Sequence, residues 1–161
     1  INLILSWEPN ARIVLHGVSM GAATVLMASG EDLPGNVKAV IADCGYTSEW
    51  DEFQREADAL HIPWFPVLNA TSVLSKIRDG YDFKQASALA QVKKSRIPTL
   101  FIHGSSDELV PYSMLGELYA AAACEKEELT VEGAGHALSS SVAPTLYWRT
   151  VEDFIAKYLD R

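Results

Sequence analysis

Residues 15–24, LHGVSMGAAT, constrain this chain more than any other stretch. Ser19 stands between Gly17 and Gly21, with the apolar run RIVL (12–15) before it and the small-residue run AATVLMA (22–28) after it. A strand that turns sharply into a helix here forces Ser19 into a strained backbone and lifts its hydroxyl clear of the sheet. Side chains at 17 and 21 would collide with the adjoining strand and helix, so glycine is expected to be required at both. Ala22 and Ala23 let the helix lie close on the sheet, and its N-terminus aims backbone N–H groups and a partial positive charge at the Ser19 hydroxyl. Other uses of the glycines fail. A P-loop needs Lys-Ser/Thr after the last glycine, where Ala22-Ala23 stand, and GAGHAL (133–138) lacks the third glycine of a dinucleotide fingerprint.

Around this turn the chain alternates between two periodicities. Strands are expected at 12–15, 37–42, 99–102 and 128–131, and helices at 20–29, 112–123 and 145–160. In the last helix Tyr147, Val151, Phe154, Ile155 and Tyr158 form one apolar face. The fold class is therefore α/β, a parallel sheet with helices on both faces. The gap 45–97 breaks the rhythm. Ser48 and Asp51 have capping-box spacing, and Trp50, Phe53, Ala57 and Leu60 then share a helical face. Pro63 and Pro66 are expected to stop any helix, and further amphipathic pieces follow at 72–78 and 84–93. The segment from about 47 to 96 reads as a helical cap inserted within the single domain 1–161. Its aromatic residues Trp50, Trp64 and Phe65, with Tyr46 just ahead, are candidates for a substrate-pocket wall or for the core of the cap itself.

Charge narrows the partners. Lys plus Arg is 13 against 21 Asp plus Glu, a net −8 with a pI near 4.9, so the field repels nucleic acid. No run reaches the roughly 18 apolar residues of a membrane span. Cys44 and Cys124 make no CxxC or disulfide framework, and no His/Cys/Asp/Glu cluster has metal-ligand spacing.

A nucleophilic serine needs a base, and the base needs an orienting carboxylate. His16 and His103 each end a strand before a glycine and are expected to support the sheet edge, while His61 lies in the cap. His136 follows the last strand in EGAGHA, a loop rimmed by Gly133 and Gly135, from which an imidazole could reach Ser19. Three carboxylates compete: Asp107 in HGSSDELVP after the third strand, its neighbour Glu108, and Asp43 after the second strand. Both aspartates sit at the edge where open α/β sheets gather their ligands, and spacing favours Asp107. The Met20 N–H is one natural oxyanion donor.

The order Ser19, Asp107, His136 and the segments IVLHGVSMGAAT, PTLFIHGSSDELVP and GAGHA resemble the nucleophile elbow, acid loop and histidine loop of the α/β-hydrolase superfamily. With DCGYTS after the second strand, the chain is similar to a bacterial branch of cell-surface hydrolases close to serine-peptidase-like and acyl-thioesterase-like members. The resemblance implies a Ser-His-Asp serine hydrolase that cleaves an ester, thioester or amide of a small-molecule or peptide substrate through an acyl-enzyme, with no cofactor. From another class, a non-catalytic binding module that keeps the elbow for packing is the alternative. The family carries about four strands before the elbow strand, and the loop after the third donates a second oxyanion N–H. Only INLILSWEPNA precedes Arg12, so the expectation is the C-terminal part of a catalytic domain, lacking its N-terminal strands. Location stays open between cytoplasm and cell surface, the latter through an upstream signal or anchor.

An exposed strand edge invites association. Residues 1–161 expressed alone are therefore expected to be inactive or nearly so, and ordered only with the upstream segment or a second copy on that edge. Light scattering and a short p-nitrophenyl ester check this, and a monomer with full activity would overturn it.

Overall fold

Strand β2 (Val37–Asp43) is buried on both faces, and this fixes the layering. In the computed structural model, which describes residues 1–159, it pairs with β1 (Ile13–Val18) on one side and β3 (Thr99–Gly104) on the other. β4 (Lys126–Val131) completes a four-stranded sheet in the order β1-β2-β3-β4, parallel throughout. The period-2 alternation of side chains divides the core. Val40, Ala42 and Phe101 point to one face, against α2 (Met20–Ser29), α5 (Ala88–Val92) and α6 (Ser113–Ala121). Ala39, Ile41, Leu100 and Ile102 point to the other, against Tyr147, Val151, Phe154 and Tyr158 of the closing helix α8 (Pro144–Leu159). β1, β2 and β3 run one to three residues past their expected C-terminal ends, because the glycines and the aspartate there still hold sheet register, and β4 begins two residues earlier, at Lys126. Asp160, the expected last residue of the closing helix, lies outside the described residues.

One element was not anticipated, and three expectations need correction. INLILSW, which carries no strong periodic signal, opens the chain as helix α1 (Asn2–Trp7) with Leu3 and Trp7 exposed. The prolines do not stop the second helix of the insert. Pro63 precedes α4 (Trp64–Asp79), whose only non-helical residue is Phe65, and Pro66 restarts the helix, in a first turn where a missing N–H costs nothing. The piece expected over 84–93 is only α5, with Ala88 and Val92 in the core beside α2. The two glycines are also unequal. A Cβ on Gly17 would sit 2.1 Å from the Gly21 carbonyl oxygen, whereas a Cβ on Gly21 would meet nothing within 4 Å.

The expected cap at Ser48 is present. Its hydroxyl accepts the Asp51 N–H at 3.1 Å and opens α3 (Glu49–Ala59). The chain leaves and rejoins the sheet edge at one place: Ser48 bridges to Ser87, Glu49 N–H donates to Ala86 O at 2.9 Å, and Leu89 N–H donates to Thr47 O at 2.9 Å.

The asymmetry at the turn is testable. Gly17→Ala forces backbone against backbone and should cost at least the 1–3 kcal/mol of an overpacked core (about 2–12 °C in Tm). Gly21→Ala should leave Tm within about 2 °C. Differential scanning calorimetry of the two variants decides it.

Candidate active site

Parallel register brings the C-terminal ends of β1, β2 and β3 to one edge, and Ser19, Asp43 and Asp107 leave the sheet there. Ser19 lies between β1 and α2 at φ 56°, ψ −120°, a left-handed conformation that costs a non-glycine residue about 1–3 kcal/mol and persists only where the surroundings impose it. Two contacts impose it: the Ser19 N–H donates to Asp43 O at 2.8 Å, and α2 crosses β1 at Gly17 with no room for a side chain. Met20 opens α2, so its N–H has no acceptor within the helix.

Asp107 sits in the turn after β3, its side chain fully buried. Its Oδ1 accepts the N–H groups of Leu109 (3.0 Å) and Val110 (2.9 Å), which fixes the carboxylate plane. Its Oδ2 faces His136 Nδ1 at 2.8 Å and His103 Nε2 at 3.3 Å, and His103 Nε2 also lies 3.0 Å from Val110 O. His136 rides on a loop pressed against β3. Gly133 takes φ 72°, its N–H donates to Ser105 Oγ at 2.9 Å, and Ser106 N–H donates to Ala134 O at 3.0 Å. A Cβ on Gly104 would strike the Ala134 carbonyl, so the loop can lie this close only on glycine. From there His136 Nε2 reaches Ser19 Oγ at 2.7 Å. A carboxylate beside Nδ1 assigns the proton to Nδ1, which leaves Nε2 to accept the Ser19 hydroxyl. The result is a continuous Asp107–His136–Ser19 hydrogen-bonded chain.

The other candidates fall elsewhere. Asp43 is buried on Ser139 rather than on His136, with Ser139 Oγ 3.2 Å from its Oδ1, and Glu108 is exposed. His16 meets the Tyr147 hydroxyl at 3.1 Å, and His61 is exposed at φ 56°. Of the expected pocket wall, Tyr46 is buried against Ala23, Val110 and Met114. Trp50 carries Lys84 over its ring at 4.4 Å, and Phe65 is 66% exposed. Trp64 lines a cavity of about 310 Å³ with Phe53, Leu60, Ile62 and Val67. Helix α3 carries acidic residues, among them Glu52, whose carboxyl burial pushes up while Arg55 opposes the shift.

Cys44 was not legible as a site residue. It is fully buried, and its sulfur lies within 4.8 Å of the Asp107 and His136 donor atoms. Burial pushes its thiol up to about 12, so it stays protonated and unreactive at neutral pH. Ser19 (φ 56°), Cys44 (φ 49°) and Ala137 (φ 57°) hold left-handed backbones around this one spot. No residue spacing signals such a convergence.

The fold is shared with solved structures of low sequence identity. An acylaminoacyl peptidase from Pyrococcus horikoshii superposes with a TM-score of 0.70 at 18% identity, over 98% of this chain and 26% of that one. The esterase domain of a Rhodothermus marinus protein gives 0.65 at 19% identity, over 98% and 65%. In sequence the chain is similar to the uncharacterized protein YqkD of Bacillus subtilis, 31% identical over 144 residues, which cover 89% of this chain and 47% of that protein. It is 30% identical to the α/β-hydrolase domain-containing protein WAV2 of Arabidopsis thaliana, over 92% of this chain and 48% of that one. The chain thus spans about half the length of these curated relatives. The sequence profile of the prolyl oligopeptidase family matches residues 6–161. By this match the chain is a member of the prolyl oligopeptidase family, within the α/β-hydrolase superfamily.

Proposed function

We propose that the protein is a serine hydrolase that cleaves an ester, thioester or amide through an acyl-enzyme. The observation that carries this is the unbroken hydrogen-bonded chain, 2.8 Å from Asp107 to His136 and 2.7 Å from His136 to Ser19. Ser19 Oγ attacks the substrate carbonyl as His136 Nε2 takes its proton. Asp107 holds the imidazole in the tautomer that can accept, and stabilises the imidazolium that forms. The Met20 N–H and the start of α2 stabilise the oxyanion, and one such donor is worth about 100- to 1000-fold in rate. His136 then protonates the leaving group, and water repeats the sequence on the acyl-enzyme. The family membership and the esterase and peptidase folds it resembles support this chemistry.

The insert at about 47–96 then acts as a cap over the site. The apolar cavity walled by Trp64, Phe53 and Leu60 is of a size to take the acyl portion of a substrate.

Fluorophosphonate labelling and ester hydrolysis test the reading. The full-length protein should label once, at Ser19, and its Ser19→Ala variant should not label. Asp107→Asn should cut kcat by up to about 10⁴-fold through the wrong tautomer, with a much smaller effect from Asp43→Asn. Folded full-length protein that never labels would make it a binding module. The cavity has its own test across p-nitrophenyl esters of rising chain length. Trp64→Ala should change kcat/KM unequally along the series; a uniform loss with a lower Tm would reduce Trp64 to packing.

A further inference from the structure

Asp43 ends β2 beside the Ser19–His136–Asp107 chain, is 1% exposed, and takes no part in it. Its backbone carbonyl accepts the Ser19 N–H at 2.8 Å. Its carboxylate accepts the Ser139 hydroxyl at 3.2 Å and has the Tyr147 hydroxyl close enough to hold its pKa down, and the Tyr147 oxygen meets His16 Nε2 at 3.1 Å. Ser139 opens the short helix α7 (Ser139–Val142) just past His136, and Tyr147 lies in the first turn of α8.

The loop that carries His136 therefore has two anchorages. Ahead of the imidazole, Gly133 and Ala134 are tied to Ser105 and Ser106, on the loop that also carries Asp107. Behind it, Ser139 is tied to Asp43. Ala137, between the imidazole and the rear anchor, is held at φ 57°. The front anchorage fixes His136 relative to Asp107, but only the rear one refers it to the strand whose end also holds Ser19. A buried carboxylate is costly even when hydrogen-bonded, and burial pushes the Asp43 carboxyl up despite both hydroxyls.

We propose that Asp43 is a positioning residue. Its carbonyl clamps the Ser19 turn, its carboxylate clamps the His136 loop through Ser139, and together they set the distance between nucleophile and base. The consequence for rate rests on the serine-hydrolase reading; the clamp itself does not.

The test uses Ser139→Ala, which deletes one hydroxyl, Asp43→Ala, and the double variant. Hydrogen–deuterium exchange should quicken across residues 135–147 in both single variants and stay unchanged across 104–110. Misplacing a catalytic group by about 1 Å can cost 100-fold, so kcat should fall by up to about 100-fold. KM should change less than about twofold, because ground-state binding is untouched. The double variant should be no slower than Asp43→Ala, since both changes break one interaction. Unchanged exchange in Ser139→Ala, or kcat losses that add in the double variant, would overturn the clamp. Wild-type protein that neither labels nor hydrolyses would fail the serine-hydrolase reading instead, and exchange would then decide the clamp by itself.

Discussion

The backbone contact at Gly17 is the constraint on which the rest depends. Helix α2 crosses β1 so closely that the Gly21 carbonyl occupies the place of a Gly17 side chain. That approach leaves the chain a single residue in which to reverse from strand to helix, and Ser19 takes the strain. Ala22 and Ala23, both fully buried, continue the same tight seam, and a Cβ on Gly45 would lie only 3.1 Å from Ala22 Cβ. Small residues at these positions do not fill space; they let two backbones share it.

The acid side is built differently. Asp107 is desolvated completely, and such a carboxylate is tolerable only if its lone pairs are met. Two N–H groups meet Oδ1 and two histidines approach Oδ2, so the group is held without freedom to rotate. His103 explains part of this rigidity. Buried one turn away, it lies within reach of both Asp107 Oδ2 and Val110 O, and so braces the turn from within.

The elements at the sheet edge were legible because each follows from local rules. Strand runs, the small-residue helix after Ser19 and the Ser48 cap all announce themselves within a few residues. Ser19, Asp107 and His136 could be named together because the order of three segments resembles a known family. What sequence could not give was set by distant partners. Asp43 and Asp107 occupy equivalent strand ends, and only the paths of Ser139 and Tyr147, far along the chain, decide that Asp43 faces hydroxyls and Asp107 faces imidazoles. Pro66 misled because its effect depends on whether it falls inside a helix or at a restart. Gly21 misled because an open space beside a turn leaves no mark in the residues around it.

The bridge between Ser48 and Ser87 has an evolutionary consequence. Because the chain departs and returns through adjacent hydrogen bonds, the strands register nothing of what lies between them. Lengthening a closed loop raises its entropic cost only logarithmically, about 0.6 kcal/mol per doubling. Residues 49–86 can therefore be rewritten, shortened or replaced by another helical hairpin while the sheet edge keeps its geometry. One scaffold can in this way carry quite different inserts at this edge, with the Ser19–His136–Asp107 arrangement inherited intact.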